Sequence, residues 1–214
     1  MDEEISIINS NARHEKVRSF FVNNKNKIIS IIVVLIIVIV GAYSFDSYQT
    51  NKRKEISNKF NSTTLAHSEN TKGTTVKNLV EIIKEQDSTY SPLSLYFIID
   101  NKLVSNQSEI NDYFDILIEK TSLDKEIKNL VIYKKALFNS DQAQENDLLN
   151  ILNPLINSKS VWKSHALYLM AEYFYFKDQK QKSKEFFNQI ANLEDANSSI
   201  KAEAQKRLKR DLSD

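Results

Sequence analysis

The 214-residue chain contains no cysteine, which excludes disulfides, thiolate metal sites and a cysteine nucleophile. Glycine is nearly absent: Gly41 and Gly73 are the only two, and neither sits in a glycine-rich loop. Walker and dinucleotide fingerprints need several closely spaced glycines, so the sequence argues against nucleotide chemistry. Histidine is equally sparse. His14, His67 and His165 lie far apart, none in a His-Glu-x-x-His arrangement, and His165 reads as a surface or groove residue. An excess of one charge is missing too. Of 29 basic and 28 acidic residues, five and four precede position 46, leaving 24 of each sign beyond it. A neutral domain is a poor candidate for holding a phosphate backbone, so no nucleic-acid partner is expected. The basic clusters at 52–54 and 206–210 read as solvated helix faces. Glu194 with Asp195, and Glu145 with Asp147, lack the apolar surroundings that separate carboxylate pKa values, and read as turn and helix-start residues. With no convergent nucleophile, acid or metal set, the chain is read as non-enzymatic, without cofactor or metal.

What the chain does have is one long apolar run. Residues 28–45, IISIIVVLIIVIVGAYSF, carry no charge. A helix of this length, rising about 1.5 Å per residue, comes close to crossing a hydrocarbon core of about 30 Å. A strand this long would far exceed the usual length. Tyr43 and Tyr48 stand where an aromatic belt would anchor the outer end. The competing reading is a cleavable signal peptide, favoured by the small residues Ala42 and Ser44. The preceding segment carries Asp2, Glu3, Glu4 and Glu15 and looks like retained sequence. Arg13, Lys16, Arg18, Lys25 and Lys27 before the span are almost balanced by Lys52, Arg53, Lys54 and Lys59 after it. Long domains translocate largely regardless of charge, so the expected topology is a cytoplasmic tail at 1–27, a span at 28–45 and an external C-terminal domain. Val17, Phe20 and Phe21 share a helical face that suits either a membrane-surface helix or a plain topology signal.

Beyond the span, Ile56, Phe60 and Leu65 recur at helical intervals, predicting a juxtamembrane helix and linker over 46–75, with a loop at 68–75 around Gly73. A helix over 76–86 opens the soluble domain. From Tyr90 the periodicity predicts paired helices, 92–104 with 108–120, 124–138 with 144–156 and 161–176 with 179–193, then a last helix over 198–212. Pro92 suits a first helical turn, Ser108 and Asp124 are predicted helix-start acceptors, and Asp178 closes a tight turn. Pro154 should end or bend its helix.

The pair starts recur about every 34–36 residues, the period of tetratricopeptide-type helical hairpins. The third pair carries the pattern most clearly. Leu167, Met170, Ala171 and Phe174 reproduce its large-large-small-aromatic spacing, and Ser183 and Phe187 fall at the small and aromatic positions of the second helix, with Ile190 one turn on. In the second pair Ala136 precedes Ala171 by 35 residues, but Lys135 and Asn139 stand where apolar residues are expected. The fold class is therefore all-α: a single transmembrane helix followed by a TPR-like helical-hairpin (α-solenoid) domain over 76–214.

The segment Glu15-Lys16-Val17-Arg18-Ser19-Phe20-Phe21, the aromatic Tyr43 and Tyr48, Tyr90 opening the first pair, and the unit from Trp162 to Phe187 together resemble a bacterial inner-membrane family, the YfgM-like ancillary subunits of the SecYEG translocon. The resemblance implies a periplasmic repeat domain beside the translocon exit, whose partners are SecYEG, nascent secreted polypeptides and periplasmic chaperones. In the usual repeat register, His165, Tyr168, Glu172 and Tyr175 would face a groove with Leu130, Tyr133 and Leu137 of the preceding unit. Tyrosines there would offer apolar area plus a hydroxyl for loose recognition of varied segments. The same tyrosines could instead pack against neighbouring helices or the helix over 198–212. A second reading of function is an envelope-assembly or cell-division scaffold that forms homo-oligomers through its repeats; a third, a tethered enzyme, has no residues to support it.

Overall fold

A computed structural model describes residues 2–212, without side-chain detail for 2–14, 17, 21 and 28. The expected surface face at Val17 and Phe21, and His14, lie outside the described side chains. The described residues are all-helical, with no strand. Among the described residues there are nine α-helices: α1 (Asp2–Leu65), α2 (Lys72–Lys84), α3 (Tyr90–Asp100), α4 (Gln107–Asp115), α5 (Lys125–Asn139), α6 (Glu145–Ile156), α7 (Lys163–Phe176), α8 (Lys180–Asn192) and α9 (Ser198–Arg210). The chain divides into two compact units, Met1–Glu55 and Ile56–Asp214.

In the first unit α1 presents an exposed apolar surface, Ile29 to Phe45, and among the described residues it is the one helix long and apolar enough to cross a membrane. Ser30 donates its hydroxyl to the Asn26 carbonyl at 2.9 Å. A polar side chain within the apolar run is thus satisfied by its own helix.

The second unit starts at Ile56, twenty residues before the predicted domain boundary. Ile56 is buried, the Phe60 ring meets Tyr90 at 5.7 Å, and Asn78 Nδ2 donates to Thr63 Oγ1 at 3.3 Å. The end of the expected juxtamembrane helix therefore belongs to the folded core. The expected loop at 68–75 is shorter than predicted: a 3-10 turn at Glu69–Thr71 leads into α2, so Gly73 is helical.

The buried side chains form three successive clusters. Leu79, Ile82, Ile83, Leu95, Ile98, Ile110, Phe114 and Leu117 lie in the first; Ala136, Leu148, Leu152, Leu155, Ala166, Met170 and Phe174 in the second; Leu167, Ala171, Phe187, Ile190 and Ala204 in the third. Ile118 packs against both the first and second, and Ile156 and Phe186 against both the second and third. Each helix from α2 to α9 packs on its sequence neighbour, and α5 also touches α7, as α7 touches α9.

Local chemistry explains the boundaries. Asn106, not Ser108, caps α4, its Oδ1 accepting from the Ser108 and Glu109 amides; Asp124 precedes α5 without a side-chain cap. Asp87 Oδ1 accepts from the Thr89 and Tyr90 amides at the start of α3. Pro154 sits inside α6, which stops two residues later at Ile156, so the lost bond falls in the last turn. The expected helix to Lys120 is α-helical only to Asp115; residues Ile116–Lys120 form a π turn, closed by the Thr121 amide on the Ile116 carbonyl at 3.1 Å. Three helices end in left-handed residues at Gln86, Lys102 and Asp178, none of them glycine.

Candidate functional site

All seven residues of the third-pair pattern, Leu167, Met170, Ala171, Phe174, Ser183, Phe187 and Ile190, are buried. Ala171 and Ser183 are small where α7 and α8 run against each other, which lets the backbones approach, and Phe174 and Phe187 fill the flanks.

The polar residues that interrupt the pattern in α5 have partners on α4. Asn139 and Asn111 exchange side-chain amide bonds at 2.8 and 2.9 Å, and Gln107 donates to Asn139 Oδ1 at 3.0 Å. One turn away Lys135 pairs with Asp115 at 2.5 Å. Two residues four apart on α4 therefore meet two residues four apart on α5, so a polar clasp replaces the expected apolar contact. Further on, Ser160 donates to Glu126 at 2.7 Å and accepts from Asn129 at 3.0 Å, the Tyr173 hydroxyl donates to the Ala143 carbonyl at 3.1 Å, and Lys182 pairs with Glu145 at 2.8 Å. The hydrogen bond from Ser160 holds the Glu126 carboxyl below its ordinary pKa.

The seven candidate groove residues fall into three settings. Tyr133 stacks on Trp162 at 5.6 Å between ring centres, and His165 closes the group at 5.8 Å from Tyr133 and 5.0 Å from Trp162. Leu130, three residues before Tyr133, is half-buried. This aromatic group joins α5 to the start of α7. Tyr168, Glu172 and Tyr175 are half-buried, Tyr168 against α8 and the other two against α9. Arg207 of α9 reaches the Glu172 carboxylate at 3.0 Å, lies 4.3 Å from the Tyr175 ring centre, and pairs with Asp211 at 2.8 Å. Tyr168 meets Phe187 edge-on at 5.5 Å, and burial, then the Glu172 charge, pushes its hydroxyl up to about 12. Only Leu137 remains open, at 49% exposure.

Leu137 borders a pocket of about 170 Å³ between α3 and α5, also lined by Tyr96, Ile99, Asp100, Phe114, Lys134 and Phe138. Its floor is apolar, with Phe114 fully buried. Lys134 Nζ lies 4.5 Å from the Tyr96 ring centre, a cation–π arrangement. The Tyr96 hydroxyl is buried without a hydrogen-bond partner, and burial raises its pKa above the ordinary tyrosine value. Sequence periodicity missed Tyr96, Lys134 and their neighbours because the 35-residue register fails in the first pair: counted back from Ala136 it lands on Asn101, past the end of α3. The aromatic and basic character of Tyr96 and Lys134 was visible, but their adjacency was not.

Small-molecule clefts usually measure about 300–1,000 Å³, so this pocket suits a single side chain better than a whole metabolite. Among the described residues no three His, Asp or Glu side chains gather as a metal site. In comparisons with known proteins, no family model, curated protein or solved structure matches this chain.

Proposed function

We propose that the chain is a single-pass membrane protein whose C-terminal unit is a TPR-like α-solenoid that binds polypeptides without catalysing a reaction. The observation that carries this reading is the helix contact order, in which each helix meets its sequence neighbour while α5 meets α7 and α7 meets α9. Stacked hairpins give this pattern, because the first helices of successive hairpins line one face. The polar joints support it. Glu126 with Ser160, Glu145 with Lys182 and Glu172 with Arg207 are each separated by 34–37 residues, about one hairpin period. On this reading α9 caps the stack with a basic last turn and an otherwise polar surface.

The proposed setting is the bacterial inner membrane, with α1 as anchor, the N-terminus in the cytoplasm and the repeat unit in the periplasm. There it would act as an ancillary subunit of the SecYEG translocon, passing emerging secreted polypeptides to periplasmic chaperones. The test is protease accessibility of the C-terminal unit in spheroplasts, read alongside photocrosslinking in native membranes from benzoylphenylalanine at Leu137, the exposed candidate residue. An accessible unit crosslinked to translocon subunits, emerging chains or chaperones is the expected result. Crosslinks only between copies of the chain would favour the assembly scaffold, and a protected unit would overturn the topology.

A further inference from the structure

We propose that the starts of α5 and α7 form an edge that docks on an anionic lipid surface, with Ile127 and Val161 entering the headgroup layer and the lysines beside them meeting lipid phosphates. This goes beyond the polypeptide-binding reading and rests only on α1 being a membrane anchor. The two helix starts are joined by Ser160, which donates to the Glu126 carboxylate at 2.7 Å and accepts from Asn129 at 3.0 Å. Next in sequence to the two bonded residues stand Ile127, 42% exposed, and Val161, 65% exposed. Leu93, also 42% exposed, lies 34 residues before Ile127, as Val161 lies 34 after it. An open aliphatic side chain thus stands within a turn of the start of α3, α5 and α7 alike.

Single exposed aliphatic residues are ordinary on a protein surface, and it is the setting of these that selects a membrane. Residues 124–128 and 159–163 hold Lys125, Lys128, Lys159 and Lys163 against Asp124 and Glu126, and the Glu126 carboxylate is already engaged by Ser160. None of the four lysines makes an ion pair among the described residues, and Lys125, Lys128 and Lys159 are exposed. Aliphatic groups beside free lysines suit an anionic bilayer surface: the former leave water, while the latter keep their ammonium groups at phosphate level. The edge also lies at the end by which the chain enters the Ile56–Asp214 unit. There the close of α1 and the residues after it run in the same sense as α3, Phe60 meeting Tyr90 at 5.7 Å and His67 meeting Phe97 at 5.5 Å. After a short link α4 returns along α3 and runs antiparallel to α5, Gln107 meeting Asn139 and Asp115 meeting Lys135. In turn α7 follows the sense of α5, Glu126 meeting Ser160 and Tyr133 meeting His165. The starts of α3, α5 and α7 therefore share the entry end. From Phe45, the last residue of the apolar run, the chain to Ile56 spans about 16 Å as helix and at most about 40 Å extended, so that end stays within reach of the bilayer.

The chain lacks cysteine, so single labels can be placed without background. Full-length Ile127→Cys, Val161→Cys and Phe176→Cys are labelled with bimane and incorporated into nanodiscs that contain a lipid with a quenching nitroxide on its headgroup. Phe176, 83% exposed at the opposite end of α7, is the reference. In discs rich in phosphatidylglycerol, quenching at 127 and 161 should exceed that at 176 by about twofold or more. The excess at 161 should fall by about half or more in phosphatidylcholine discs, and likewise when Lys128→Glu and Lys159→Glu are added. Equal quenching at 161 and 176, or an excess that survives neutral discs or the charge reversal, overturns the docking and leaves the anchor and polypeptide binding standing. A chain that does not enter the discs overturns the anchor and the docking together. If the charge reversal alters the melting curve, the comparison of the two lipid compositions decides alone.

Discussion

Replacing Lys102 with glycine should stabilise the Ile56–Asp214 unit, although it removes a side chain. Lys102 follows α3 with φ of 51°, its amide donating to the Ile99 carbonyl at 3.0 Å while the Leu103 amide reaches the Ile98 carbonyl at 2.9 Å. This is a Schellman closure, and the buried Leu103 lies in the same core cluster as Ile98. A side chain in the left-handed region costs about 1–2 kcal/mol, and the extra freedom of glycine in the unfolded chain takes back roughly half of that gain. The net stabilisation is about 0.5–1 kcal/mol, or roughly 1–4 °C in Tm for a unit of this size. Gln86 and Asp178 offer the same gain, smaller at Asp178 because aspartate tolerates this conformation better. The assay is thermal and urea unfolding of the full chain in detergent, followed by circular dichroism. Lys128→Gly, at an exposed position inside α5, should instead lose about 1 kcal/mol. If Lys102→Ala raises Tm as much as Lys102→Gly, left-handed strain is not the cause and the reasoning fails.

The amide clasp predicts strong coupling. Asn139→Leu alone should cost about 1–3 kcal/mol by orphaning Asn111 and Gln107, whereas Asn111→Leu with Asn139→Leu should come close to wild type; additive losses in a double-mutant cycle would count against the clasp. Because Ser160 lowers the folded pKa of Glu126, its contribution is present above about pH 4.3 and lost as pH falls through the lower folded value. Acid unfolding of Glu126→Gln should accordingly be less steep in that window than that of wild type. Tyr168 has the opposite sign: its raised pKa gives stability that is complete below about pH 10 and lost as pH rises towards about 12, so Tyr168→Phe should flatten alkaline unfolding. Phe187→Ala should cost about 3–5 kcal/mol in urea titration, whereas Phe176→Ala, at 83% exposure, should stay within about 0.5 kcal/mol.

The near-absence of glycine and proline, together with apolar periodicity, was enough to place most of the helix pairs, because local spacing determines which residues share a helix face. The uncharged run marked the long apolar helix for a similar reason: hydropathy is additive along the chain and needs no partner. Other features came from partners distant in sequence. Lys135 and Asn139 look like interruptions of an apolar pattern until Asp115 and Asn111 meet them across α4 and α5. Tyr168, Glu172 and Tyr175 share the face that a groove would need, yet Arg207, 32 residues or more beyond them, lies over that face. The π turn at Ile116–Lys120 and the pocket joining Tyr96 to Lys134 likewise depend on how helices settle against one another. Sequence alone determined most of the helices and the one long apolar run, because these follow from short-range spacing and composition. Tertiary structure alone decided which face stays open and which polar groups are satisfied, because those depend on contacts between residues tens of positions apart.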